Sequence, residues 1–246
     1  LYSCDNLIVS ICHLSKYTSN NYSNAWRSVS FYQWCAIDEA CIKQNAVGAI
    51  PLFTKGIPEL GVETLDPVYF ELVESSSPNL KFTMHKVTLK GLKTCQPTKV
   101  QRDVAKSKIF LQLSCVLNLD GDYEMDGQIL VLKIAGKGKI HVLLRKLVIS
   151  IELDTVEKIG KDGENHVRIK KFKHTYDLQE KSDLEFTGLS AENDVLTKAT
   201  EDLIKNNPND IVREIGGKMF EAAITKVVEN LNKFFAVVPQ KELTLD

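Results

Sequence analysis

Apolar residues occupy every second position through one stretch in the middle of the chain, residues 109–119. Gln112, Ser114 and Asn118 occupy one face of this stretch. A period of two residues is typical of a strand in an antiparallel sheet that has one buried and one solvated face. The residues of the apolar face are Ile109, Leu111, Leu113, Cys115, Leu117 and Leu119.

The same alternation continues on both sides of this strand, but its phase slips at two places. One slip lies near His85, between Met84 and Val87, and the other lies between Leu144 and Leu147. Slips of one residue are typical of β-bulges, which bend a strand and increase its twist. The sequence therefore predicts a strongly curved and twisted sheet.

Glycine-containing pairs divide the middle of the chain into an antiparallel meander. We expect turns at residues 121–122 and 126–127, a hairpin connection at 136–138 and a hairpin turn at 161–163. A last strand is expected over residues 175–186. The strands before it are longer than the usual five or six residues.

Helical patterns occur at both ends of this meander. A helix is expected over residues 37–53, ended or kinked by Pro51, and another over 190–206 with Ser190 as its N-cap. The final helix, residues 211–235, is apolar on most of its surface and must therefore be buried on most sides. The predicted fold class is α+β: a long C-terminal helix wrapped by a strongly curved antiparallel β-sheet, with an N-terminal helix.

Composition narrows the function classes without identifying one. The chain has 246 residues, of which 43% are hydrophobic and 26% charged, with a net charge of −1. This charge balance predicts no nucleic-acid partner. The longest apolar stretch, residues 143–153, is interrupted by Arg145, Lys146 and Glu152. It is shorter than the roughly 18 residues of a spanning helix, so we expect no membrane span.

The cysteines indicate packing or disulfides and not a metal. None of the 6 cysteines forms a CxxC pair, and no histidine pair has metal-ligand spacing, so no metal site is expected. Cys35 and Cys41 flank a helix start, where either a short-loop disulfide or two unpaired buried thiols would fit. A simple hairpin register offsets Cys95 from Cys115, so both are expected to be free buried thiols.

Residues 1–34 differ from the rest of the chain. They contain clusters of Ser, Asn and Tyr together with Cys4 and Cys12, and their apolar stretch at residues 7–14 is short. That stretch lacks a basic leader and a small-residue cleavage site, so it fits a signal peptide poorly. We expect a weakly ordered or atypical N-terminal segment, followed by one domain over residues 35–246.

Catalytic motifs are not recognisable in the sequence. It contains neither a Gly-x-Ser-x-Gly elbow nor a His-Glu-x-x-His helix, and its histidines are scattered. Asp120, Asp122, Glu124 and Asp126 alternate, but without the spacing or distal glutamate of an EF-hand. A solvated strand face is the favoured interpretation of these carboxylates. We therefore expect neither an enzyme nor a cofactor.

An apolar interior with few polar groups would suit a hydrophobic ligand. Each apolar candidate is either a wall of such a site or ordinary core. Tyr123 offers its hydroxyl to an ester, epoxide or carbonyl of a ligand, or else closes a strand end. The candidate ligand-binding residues are Leu111, Leu113, Cys115, Leu117, Tyr123, Leu130, Leu132, Met219, Phe220, Val227, Leu231 and Phe234.

An ordered set of segments resembles the insect takeout and juvenile-hormone-binding protein family. The resemblance implies a Cys35–Cys41 disulfide and a secreted, extracellular monomer in a haemolymph-like fluid. It also implies that the protein carries juvenile hormone or another terpenoid or fatty molecule. The segments are Cys35 and Cys41, Pro51, residues 56–61 (Gly-Ile-Pro-Glu-Leu-Gly), Asp66-Pro67, residues 121–130, residues 136–138, and residues 190–239.

Two alternatives to a carrier stay open at this point. A protein of the same fold could have a fully packed interior and act through its surface. A lipid-ester hydrolase is the other alternative, because folding could assemble a catalytic triad from residues that are distant in sequence.

Overall fold

The computed structural model describes residues 34–35, 39–130, 132–190 and 194–245. The expected N-terminal segment, apart from the backbone of Trp34, lies outside the described residues. The side chains of Cys35 and Cys41 also lie outside them, so the disulfide between these cysteines stays a prediction.

The described chain contains a short two-stranded sheet and a large 8-stranded antiparallel sheet. In the small sheet, β1 is parallel to β10. In the large sheet the strand order is β2-β3-β5-β6-β7, while β4 pairs with β5, and β8 and β9 pair with β6. The strands are β1 (Trp34–Cys35), β2 (Val68–Glu74), β3 (Leu80–Lys90), β4 (Gln96–Asp103), β5 (Lys108–Ile129), β6 (Leu132–Ile159), β7 (Asn165–Leu178), β8 (Asp183–Phe186), β9 (Leu189–Ser190) and β10 (Thr244–Leu245).

Two register shifts confirm the predicted phase slips. Between β3 and β5 the register shifts after His85, where Lys86 has a φ of 50°. Between β5 and β6, Cys115 lies opposite Leu147 but Leu117 lies opposite Leu144, so β6 carries the extra residue. Each bulge lets the inward-facing apolar residues on both sides of it stay on the same face of the sheet.

The turns predicted at residues 121–122, 126–127 and 136–138 are wrong, because all three lie inside β5 or β6. Their glycines serve close approach between backbones. A Cβ atom on Gly138 would lie 2.2 Å from the Thr187 carbonyl oxygen, and one on Gly127 would lie 2.2 Å from that of Asn79. The hairpin turn predicted at residues 161–163 is confirmed, between β6 and β7.

The last predicted strand is interrupted. β7 ends at Leu178 and β8 begins at Asp183. The side chain of Asn209 holds the intervening backbone: it accepts a hydrogen bond from Ser182 N at 2.8 Å and donates to the Glu180 carbonyl at 3.0 Å. A polar side chain thus replaces strand pairing in this segment.

The helices depart from the predicted bounds in three places. α1 (Glu39–Lys55) continues through Pro51, and the Thr54 hydroxyl in its last turn donates to the Ile50 carbonyl at 2.8 Å. Ser190 belongs to β9, and α2 begins at Asp194. The single final helix that was predicted over residues 211–235 is divided into two helices in the structure. The helices are α1 (Glu39–Lys55), α2 (Asp194–Asn206), α3 (Pro208–Ile215) and α4 (Gly217–Phe235), with 3-10 turns at Pro58–Leu60, Leu92–Thr94 and Gln240–Glu242.

Gly216 separates α3 from α4. A Cβ atom at this position would lie 2.5 Å from the Val212 carbonyl oxygen and 3.1 Å from the Phe220 ring. The two helices therefore meet closely at a residue that has no side chain.

The fold class is confirmed as α+β, with an open antiparallel sheet and a C-terminal helix. α4 contacts both β2 and β7, the two end strands of the main path, which do not pair with each other. One apolar cluster of buried residues runs from Ile57 to Leu243 and joins the sheet to α3 and α4. The sheet and these two helices thus enclose a common interior.

Candidate ligand-binding cavity

An apolar cavity lies between the sheet and the paired helices α3 and α4. Its volume is about 140 Å³. Such a space is roughly ten times what one ordered water needs. It exceeds the small voids usual in a packed core.

Every described residue that lines this cavity is apolar. β3, β5, β6 and β8 supply one side, and α3 and α4 supply the other. An apolar chain or ring system can replace water here without leaving a buried polar group unpaired. The lining residues are Phe82, Met84, Leu89, Leu92, Cys95, Leu111, Leu113, Cys115, Leu117, Leu119, Ile140, Val142, Leu144, Leu147, Ile149, Ile151, Leu184, Val212, Ile215, Gly216, Met219, Phe220, Ala223, Ile224 and Val227.

Strand periodicity and helix periodicity together bring many of the candidate residues to one place. Inward-facing residues of β5 meet one face of α4 across the cavity. That they touch a ligand stays a prediction. The candidates that line the cavity are Leu111, Leu113, Cys115, Leu117, Met219, Phe220 and Val227.

Tyr123 lies outside the described lining, with its side chain fully buried. Its hydroxyl donates a hydrogen bond to the Thr187 carbonyl at 2.8 Å, and its ring contacts Phe186 edge to face at 4.9 Å. Burial raises the pKa of the Tyr123 hydroxyl to about 12. The hydroxyl predicted to meet a ligand thus fixes the segment next to β8.

Four further candidates also lie outside the described lining. Leu130 forms the β5–β6 turn, with a φ of 52° and 36% of its surface exposed. Leu132 is half-buried at the start of β6, and Leu231 is half-buried on α4. Phe234 is buried against the ring of Phe53 on α1, with centroids 6.2 Å apart. In this structure Phe234 is a core residue at the end of α4.

Sequence reasoning missed the contribution of α3 and of a short turn. Val212 and Ile215 on α3 line the cavity, as does Leu92 in the turn that follows β3. The helical spacing of Ile211, Val212 and Ile215 could have indicated this contribution. All three side chains are buried in the structure. Leu92 gives no such signal, since its position depends on how the turn folds over β5.

Cys95 and Cys115 form a disulfide, with 4.3 Å between their Cα atoms, so the expectation of two free thiols is wrong. β4 and β5 shift register between Pro97 and Lys99. Gln96 consequently lies opposite Ser114, which brings Cys95 opposite Cys115 and not the exposed Val116. The disulfide forms part of the cavity wall.

Two of the alternating carboxylates of β5 face lysines across the strand pair, on the exposed side of the sheet. Asp122 pairs with Lys139, and Glu124 pairs with Lys137. Hydrogen bonds from these ammonium groups hold the pKa of both carboxyls below their usual values. Asp120 lies 2.7 Å from Nδ1 of His141. Asp122 and Glu124 therefore form surface ion pairs between β5 and β6.

None of the helices within the described residues is both long enough and apolar enough to cross a membrane.

Comparison with known proteins gives a consistent result. The family model for haemolymph juvenile hormone binding protein matches residues 11–245. The crystal structure of Takeout 1 from Epiphyas postvittana superposes with a TM-score of 0.81 at 28% sequence identity, covering 87% of this chain and 100% of that one. The circadian clock-controlled protein daywake of Drosophila melanogaster is 22% identical over 217 residues, 83% of each chain. The corresponding protein of Drosophila yakuba is also 22% identical over 217 residues.

Proposed function

Because the chain belongs to the haemolymph juvenile hormone binding protein family, we propose that it is a carrier that encloses one small hydrophobic molecule. The observation that carries this proposal is the apolar cavity between the sheet and helices α3 and α4. The proposed ligand is juvenile hormone or another terpenoid or fatty molecule, held mainly by burial of its apolar surface.

The chemistry of the described lining favours carriage over catalysis. Ester hydrolysis needs a nucleophile and a base within hydrogen-bond reach of each other. The described lining contains no titratable side chain apart from two cysteines, and these are joined in a disulfide. We therefore propose a non-enzymatic role.

The proposed ligand-binding domain covers residues 35–246, and the proposed carrier is a monomer. A continuous apolar cluster from Ile57 to Leu243 supports one domain over the described part of this range. Secretion into an extracellular, haemolymph-like fluid is also proposed. The Cys95–Cys115 disulfide supports it, because such bonds persist in oxidising compartments.

Native mass spectrometry of protein purified from its source tests the proposal. We expect a complex whose excess mass equals that of one lipid-sized molecule, and an empty protein after extraction with organic solvent. The emptied protein should then bind a fluorescent fatty-acid probe at one site. A source-purified protein that carries no added mass and takes up no probe would show that the interior is simply packed.

Juvenile hormone can be distinguished from other ligands by competition. Displacement of the bound probe by juvenile hormone, by a long-chain fatty acid and by a long isoprenoid should differ in the concentration needed. Equal displacement by all three would show that the cavity selects for apolar surface alone.

A further inference from the structure

A second, smaller crevice lies at the end of the sheet, and it shares no described lining residue with the large cavity. It is bounded by β4–β7, the end of α4 and the C-terminal segment. Its volume is about 50 Å³. We name it the Arg102 crevice; its walls are Ile109, Val167, Phe235 and Leu243, with the polar side chains of Arg102, Thr155 and Gln240.

Arg102 is placed on the inner face of the sheet by strand pairing. It lies directly opposite Ile109 on β5, and Ile109 lies opposite the buried Leu153 on β6. Residues directly opposite each other in an antiparallel pair share one face. The half-buried Arg102 side chain therefore faces inward among apolar residues.

Two carboxylates that line an adjoining groove together with Arg102 have other hydrogen-bond partners. Asp103 pairs with Lys106 at 3.0 Å, and Glu157 accepts a hydrogen bond from the Gln240 side chain at 3.2 Å. Within the described part of the chain, the Arg102 guanidinium makes no ion pair or hydrogen bond. A half-buried guanidinium is always charged and carries five donors, so it favours an incoming anion.

We propose that the Arg102 crevice is a second binding site, which takes the carboxylate of a small apolar acid. The planar guanidinium matches a carboxylate with two parallel hydrogen bonds. The apolar walls hold the first carbons of the acid's chain. The volume has room for roughly three to five water-sized groups, which is enough for a carboxylate and a short chain.

A monoanionic carboxylate fits this crevice better than a phosphate does. Four of its described walls are apolar, and Arg102 is the cationic residue among its described lining. A phosphate carries more charge and would need further cations to offset its desolvation.

Titration of the full chain with carboxyl-labelled hexanoate, followed by ¹³C NMR and calorimetry, tests the site. Arg102→Gln should weaken hexanoate binding by at least about tenfold, because a hydrogen bond to a charged group is lost. The matched control is Arg168→Gln, on the exposed side of β7, which should bind like the wild type. Hexanol, which lacks the carboxylate, should bind weakly to all three proteins.

A Val227→Trp variant separates the two sites, since Val227 lines the large cavity and not the crevice. We expect it to keep its affinity for hexanoate while losing its affinity for a long fatty probe. Should Arg102→Gln not fold, Arg102→Lys keeps the charge without the two-pronged geometry and should still weaken binding severalfold.

The proposal is overturned by any of three results. The first is that the wild type fails to bind hexanoate. The second is that Arg102→Gln binds hexanoate as well as Arg168→Gln does. The third is that Val227→Trp abolishes hexanoate binding while Arg102→Gln leaves it intact, which would place the acid in the large cavity. Each of these leaves the carrier function of the large cavity standing.

Discussion

The side-chain amide of Asn232 on α4 forms a closed pair of hydrogen bonds with the backbone of Ile169 on β7. Ile169 N donates to Asn232 Oδ1 at 2.8 Å, and Asn232 Nδ2 donates to the Ile169 carbonyl at 3.1 Å. Ile169 lies just before a register shift in β7, and β7 is an end strand, so groups on its open edge have no strand partner. One asparagine therefore completes the end strand and attaches α4 to it.

Replacing Asn232 should destabilise the protein. Asn232→Ala leaves the Ile169 N–H and carbonyl without their partner, at a cost of about 1–3 kcal/mol in the free energy of unfolding. Urea unfolding followed by circular dichroism measures this cost. Asn165→Ala, at an exposed position on the same strand, is the control and should change stability by less than about 0.5 kcal/mol. Equal stability of the two variants would contradict the role assigned to Asn232.

Removing the Cys95–Cys115 disulfide should lower stability by about 3 kcal/mol. The bond joins residues separated by 20 positions, and cross-linking such a loop restricts the unfolded chain. Cys95→Ala combined with Cys115→Ala should therefore melt well below the wild type. Wild-type protein reduced with dithiothreitol serves as the comparison, because reduction removes the bond without enlarging the cavity. A reduced protein as stable as the oxidised one would contradict the prediction.

Filling the large cavity should weaken ligand binding more than it lowers the stability of the fold. Val227→Trp places an indole in the space between α4 and β5, and overpacking costs about 1–3 kcal/mol. The same indole occupies room that a ligand needs, so affinity for a fatty probe should fall at least tenfold. Ala222→Trp, on the same helix but lining a surface groove, should keep the affinity. An equal loss of folding and binding in Val227→Trp would indicate that Val227 is core only.

Tyr123 should make stability depend on pH in the alkaline range. Burial raises its pKa to about 12 in the folded protein, above the value of about 10 in an unfolded chain. The folded state therefore holds this proton more tightly. Its contribution is fully present below about pH 10 and is lost as the pH rises toward 12. Tyr123→Phe should flatten the fall in stability over that range, by roughly 2–3 kcal/mol at most.

Tyr123→Phe should also lower the free energy of unfolding at neutral pH. Without the hydroxyl, the Thr187 carbonyl loses its donor, which costs about 1 kcal/mol. Unfolding in urea at pH 7 and at a series of values up to 11 separates the two effects. An alkaline decline as steep in Tyr123→Phe as in the wild type would assign that decline to other groups.

Gly138 should not tolerate a side chain. The Cβ atom of Gly138→Ala would lie 2.2 Å from the Thr187 carbonyl oxygen, so the segment before β9 must move. We expect a loss of about 1–3 kcal/mol. Gly217→Ala is the matched control, because its added Cβ meets nothing within 4 Å apart from its chain neighbours and its own helix backbone. A helical alanine there should be neutral or stabilising by up to about 1 kcal/mol.

The sheet was predictable wherever its residues alternate. The inward face of β5 follows directly from the period of two at residues 109–119, and the slip near His85 indicated the bulge that the structure contains. The role of Gly138 was not predictable from its neighbours. Glycine is required there because the backbone of Thr187, which is distant in sequence, lies against Gly138 in the fold.

The pairing of Cys95 with Cys115 was also not predictable from the local sequence. The hairpin at residues 103–108 alone offsets Cys95 from Cys115, and the shift near Thr98 restores their alignment. Tyr123 shows the same limit in the candidate site. The sequence left open whether its hydroxyl meets a ligand or closes a strand end. The acceptor is the backbone of Thr187, which only the folded chain brings within reach.

One wall of the large cavity is made by helices that take no part in the strand ladder. Met219, Ala223 and Val227 face the cavity from α4, while the opposite wall is held by the long pairing of β5 with β6. Substitutions on α4 can therefore change the size and shape of the chamber without breaking a single inter-strand hydrogen bond. Chains that share this sheet can therefore enclose chambers of different shape through substitutions in one helix alone.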